Sequence, residues 1–107
     1  MAIYDLYGIN ASSIEEAKSL VERLLSIQLE ERESSYHRGP YFAHGQIGHE
    51  NFEIKFNMDP FEDVPNEDDF PDHEFLLYVN NTGRSNELQA ALGKGGDVVS
   101  LLRHEDL

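Results

Sequence analysis

A chain of 107 residues suits one domain with a core that needs no staples, and the absence of cysteine excludes a disulfide framework and a thiolate metal site. The formal net charge of −13, from 21 acidic and 8 basic residues, sets the chain against nucleic acid and anionic membranes and favours cationic proteins or metal ions. At 39% hydrophobic, with six Phe and five Tyr, it is too apolar for a disordered acidic chain.

The opening MAIYDLYGIN has no basic start, long apolar run or small-residue cleavage site, so a cytoplasmic location is expected. No window approaches the ~20 apolar residues of a membrane helix. Residues 2–7 alternate loosely and read as a strand ended by Gly8. Ser12-x-x-Glu15 and Ser13-x-x-Glu16 both fit a capping box and open a helix. Ile14, Ala17, Leu20, Val21, Leu24 and Leu25 recur at helical spacing, and the helix is expected to run to about Arg32. Glu22, Arg23 and Ser26 read as its solvated surface.

Residues 35–43 form a strand despite Gly39-Pro40, which calls for an edge position or a bulge. Residues 45–48 are the turn. Residues 51–57 are the cleanest strand, with Phe52, Ile54 and Phe56 facing one way and Glu53 and Lys55 the other. Residues 75–79 (FLLYV) are apolar on both faces, as in a central strand. After a turn at 80–83, Ser85 opens a short helix closed by Gly93. The two valines of DVVSLLR favour a strand over a helix at 97–103. The expected fold is one α+β domain over 1–107, mainly antiparallel sheet with two helices on one face, in the order β-α-β-β-β-α-β.

The acidity is concentrated. Between Lys55 and Arg84 there is no basic residue, and eight of the acids fall there. The loop at 57–74 also carries Pro60, Pro65 and Pro71, with Phe61, Val64 and Phe70 set among the carboxylates. It exceeds the ~12–15 residues beyond which structureless loops are unusual, so it is either functional or disordered. The prolines limit the entropy lost on docking, the carboxylates steer encounter, and the aromatics supply tight contact. Asp59, Phe61, Glu62, Asp63, Glu67, Asp68, Asp69, Phe70 and Asp72 are therefore the candidate partner-binding residues. Either phenylalanine could instead pin the loop to its own sheet. The body of the fold is expected not to need the loop.

Other chemistries are less well served. His44 and His49 lie in a turn region without a His-Glu-x-x-His pattern, and the acidic loop lacks the glycine and terminal glutamate of a calcium loop. No metal site, cofactor or catalytic residue is expected, and no Gly-x-Ser-x-Gly or Walker spacing is present. Two alternatives stand beside the binding of a cognate basic partner through the acidic loop. One is a small metal protein or enzyme using the carboxylates with His44, His49 or His73. The other is an acidic adaptor for an unrelated basic protein.

In size, charge and the stretches LLYVNNTGRSNELQ and DVVSLLRHEDL, the chain resembles the small acidic immunity proteins of bacterial contact-dependent growth inhibition and related polymorphic toxin systems. The resemblance implies a cytoplasmic, non-enzymatic protein. Its partner would be one cognate toxin domain, whose activity the resemblance leaves open. The acidic segment suits a basic pocket built to hold phosphates, so a basic nuclease is the expected partner, with no direct contact to nucleic acid or membrane.

Overall fold

In the computed structural model, all residues are described except 1, 35–38, 47, 58–64, 66, 68 and 107. Six strands build one antiparallel sheet: β1 (Ile3–Ile9), β2 (Glu30–Ser34), β3 (Gly39–Gly45), β4 (Asn51–Phe56), β5 (Phe75–Thr82) and β6 (Val99–Asp106), in the order β2-β3-β4-β5-β1-β6. Helix α1 (Ile14–Leu25) follows β1, and helix α2 (Ser85–Gly93) with a short 3-10 turn at Gly96–Val98 leads into β6. This is the expected α+β architecture with one further, short strand, β2.

Cross-strand partners share a face, and the register sorts the two sides of the sheet. Phe42, Ile54, Leu77 and Tyr7 lie in one row across β3, β4, β5 and β1. They join Ile9, Phe52, Phe75 and Val79 beneath Ile14, Ala17 and Val21 of α1 and Leu88 and Leu92 of α2. That is the main core. Leu6, Gly8, Leu76 and Tyr78 occupy the opposite side. Leu6 and Leu76 are as buried there as any core residue, at 1% and 0% exposure. The helix-free face is therefore covered too.

The helix α1 starts where Ser13 Oγ accepts the Glu16 N–H at 3.1 Å, and the Glu16 carboxylate reaches back to Ser12 rather than to Ser13. It stops at Leu25, short of the expected Arg32, because Ser26 turns left-handed at φ 56°. Glu22 then accepts the N–H of Leu29 at 2.8 Å. Glu22 and Ser26, read from the sequence as solvated surface, thus end the helix and free Glu30–Ser34 to pair with β3. Pro40 pairs only with β2 in the register, since the β4 ladder begins at Phe42, so its missing N–H costs the inner ladder nothing.

Strand β1 runs through Gly8 to Ile9 instead of ending there. Gly8 marks a close approach, because a Cβ at this position would collide with the imidazole of His73. Asp5, with its side chain fully buried, accepts from Ser85 Oγ at 2.6 Å and from His104 Nδ1 at 2.5 Å. It fastens the start of α2 and strand β6 to β1.

The hydroxyl of Tyr7 is buried with no hydrogen-bond partner among the described residues. Burial, and after it the Asp5 carboxylate, push the phenol far above its ordinary pKa, so it stays neutral. An unpaired buried donor costs ~1–3 kcal/mol. Tyr7→Phe is therefore expected to hold or raise the midpoint of a denaturant melt, and a clear fall would show that the hydroxyl has a partner.

Candidate functional site

Asn57, at the end of β4, is buried and organises the described part of the acidic segment. Its backbone N–H donates to Glu74 O at 2.8 Å, closing the neck of the loop. Its Nδ2 donates to Phe70 O and His73 O, both at 2.9 Å, and its Oδ1 accepts the Glu67 N–H at 2.9 Å. Two turns lie between, with Phe70 N–H on Glu67 O and His73 N–H on Phe70 O. The segment's return limb is thus folded against the helix-free face, with His73 over Gly8, rather than standing apart from the body.

Glu67 is turned inward. Its carboxylate accepts from Tyr78 OH and from Arg103 Nη1, both at 2.7 Å. Arg103 also pairs with Glu105 at 2.8 Å, and Lys55 Nζ sits 4.6 Å from the centre of the Tyr78 ring. Burial alone would raise the Glu67 pKa, but the hydrogen bonds from Arg103 and Tyr78 and the Arg103 charge hold it below the usual carboxylate value. The same burial and the Glu67 carboxylate push Tyr78 up. A carboxylate with a depressed folded pKa contributes stability above its unfolded pKa and loses it as pH falls through the folded one. Glu67→Gln is therefore expected to melt below the parent at neutral pH. The gap should close as pH falls below about 4.5, the ordinary value. Thermal melts from pH 7 to pH 3 check this, and a gap independent of pH would remove the charge from the account.

Of the other candidate residues, Asp69 and Asp72 are exposed and Phe70 is partly buried. Asp59, Phe61, Glu62, Asp63 and Asp68 lie outside the described residues.

A cavity of about 300 Å³ opens where the segment returns to the sheet. Asp72, His73 and Glu74 line it from the segment, Ile9, Asn10 and Ala11 from the end of β1, and Asp97, Val98 and Ser100 from the approach to β6. The Asn10 N–H donates to Val98 O at 2.8 Å and holds the two walls together. The acidic residues Asp72, Glu74 and Asp97 line this space, and among the described residues no lysine or arginine does. Like-charged carboxylates around a concave wall focus a negative potential. Asp97 was not singled out from the sequence. It lies far along the chain from Asp72, and only the pairing of β1 with β6 brings the two together.

The remaining groups serve the fold. Glu50 holds Arg84 through two of its nitrogens and also accepts from Thr82 Oγ1 at 2.7 Å. His44 Nδ1 donates to Gln28 O at 2.8 Å. Among the described residues no three His, Asp or Glu side chains are grouped so as to hold a metal ion. Ser85 and His104 both bind Asp5 and not each other, which is not the nucleophile–base–orienter chain of a hydrolase. Among the described residues no helix is long and apolar enough to cross a membrane.

Comparison with protein families, with curated proteins and with solved structures finds no match to this chain.

Proposed function

We propose that the chain is a non-enzymatic immunity protein that binds and neutralises a cognate basic toxin domain, with a nuclease as the expected activity and the cytoplasm as the place of action. The observation that carries this reading is the cavity walled by Asp72, Glu74 and Asp97 with no lysine or arginine beside them among the described residues. It continues the basic-free stretch between Lys55 and Arg84, in a chain whose net charge is −13. A site of this kind suits a cationic surface built to hold phosphates. Glu67 leaves the contact set, since Arg103 and Tyr78 already neutralise it. Asp69 and Asp72 stay in it, and Glu74 and Asp97 join them.

The test is capture. The tagged chain is used as bait in lysate of the producing cells at low salt, and retained proteins are identified by mass spectrometry. A single basic protein is expected, released as the salt is raised. Retention of no protein, or of one that ignores salt, would count against the reading. The variant Asp72→Asn/Glu74→Gln/Asp97→Asn should retain markedly less of it while melting like the parent.

A further inference from the structure

The strand order leaves two edges, β2 and β6, and they differ. Edges left open invite pairing with another chain, and proteins blunt them with short strands, charge or proline. Strand β2 is five residues long and four of them are charged (Glu30, Glu31, Arg32, Glu33), so it is blunted. Strand β6 is eight residues long, begins Val99-Ser100-Leu101-Leu102, and holds no proline, glycine or lysine. Leu101 is 45% exposed and Val98, just before the strand, 37%. In an antiparallel ladder about half of an edge strand's N–H and C=O groups point away from its one neighbour.

The acidic cavity adjoins this edge, since Ser100 of β6 and Val98 just before the strand both line it. Resting on the reading above, we propose that β6 takes up an extended, cation-bearing segment of the partner as a further strand. Main-chain pairing runs along Val99–Leu101, and a lysine or arginine of the segment enters the cavity between Asp72, Glu74 and Asp97. Pairing stops near Leu102. Leu6 faces Arg103 while Tyr7 faces Leu101, so Leu102 is the extra residue of a bulge that twists the edge away. Arg103, bound by Glu67 and Glu105, offers the incoming cation little repulsion. A net charge of −13 on each chain disfavours a second copy as the occupant and favours a cationic one.

The experiment uses the full chain, isotope-labelled for NMR, and two hexapeptides at low salt. One is Lys-Val-Lys-Val-Lys-Val. The other has the same sequence with every internal amide N-methylated, which keeps the charge and removes the strand donors. The first is expected to shift the amides of Val99, Ser100 and Leu101 and to slow hydrogen exchange at Val99 and Leu101, whose N–H groups point away from β1 in the alternation set by Asn10 N–H on Val98 O. The second should bind about tenfold more weakly or worse, as the loss of at least two net hydrogen bonds implies. Equal binding, with shifts confined to Asp72, Glu74 and Asp97, would overturn the strand pairing and leave the charge reading intact. Binding by neither peptide would overturn both. Protection of β6 without peptide, in a sample that sediments as a dimer, would make a second copy the occupant and overturn the proposal.

Discussion

Leu77→Ala is expected to lower the stability of the chain by ~2–5 kcal/mol, the range for a buried large-to-small change. Leu77 lies at the centre of β5, fully buried, with Ile54 on one neighbouring strand and Tyr7 on the other. These neighbours belong to rigid strands and cannot collapse into the space vacated, so the cavity persists and the cost falls in the upper part of that range. Equilibrium denaturation measures it. The contrasting variant is Asp69→Asn, on an exposed turn residue. It should move stability by less than ~0.5 kcal/mol, or raise it by easing repulsion in so acidic a chain. If the Asp69 variant proved the less stable of the two, the placement of the core would be wrong.

Asn57→Ala is expected to cost ~2 kcal/mol or more. Its amide binds Phe70 O, His73 O and the Glu67 N–H, and among the described residues only Phe70 O has a second partner, the His73 N–H. Truncation leaves His73 O and the Glu67 N–H without that partner, and each buried one costs ~1–3 kcal/mol, less where water can enter. The loss should be local before it is global. Hydrogen exchange at Glu67, Phe70 and His73 should quicken by more than exchange in β5 does. Asn57→Asp tests the same claim from the other side, because a carboxylate can accept from Glu67 but cannot donate to the two carbonyls. A variant that melted and exchanged like the parent would mean that the segment does not depend on Asn57.

Much of this fold is legible in the chain because its central elements follow simple periods. The alternation of Phe52, Ile54 and Phe56 marks β4, the two-faced apolar run marks β5, and Ser13 with Glu16 marks the start of α1. The valines favour a strand at 97–103, and β6 does form, but it starts at Val99 because Asp97 and Val98 belong to the 3-10 turn. Strand β2 is illegible for a physical reason. Glu30–Ser34 is an edge strand of charged residues with no apolar alternation, and it reads as the last turn of a helix. Its existence depends on Ser26 turning left-handed and on Glu22 capturing Leu29, neither of which has a sequence period. Gly8 looks like a strand stop because its real constraint, the ring of His73, comes from far along the chain.

The candidate site divides in the same way. A run of carboxylates without a cation is visible in the sequence, but it cannot say which acids are spent at home. Glu67 looks like its neighbours, yet it is neutralised by Arg103, 36 residues away. Asp97 looks like a loop acid, yet the β1–β6 ladder carries it to Asp72. The long acidic segment with its scattered aromatics has two jobs in this account. Its return limb packs on the helix-free face, with His73 over Gly8 and Glu67 bound by Tyr78 and Arg103. Its exposed acids, with Asp97, build a negative wall beside an open sheet edge.

The most direct test of the central claim is protection in living cells. The basic domain captured by the chain is expressed from an inducible promoter, alone, with the parent chain, or with the Asp72→Asn/Glu74→Gln/Asp97→Asn variant. The account predicts that the domain alone arrests growth, that the parent chain restores it, and that the folded variant restores it poorly. Growth arrest that the parent chain does not relieve, or relief by the variant equal to that by the parent, would contradict it.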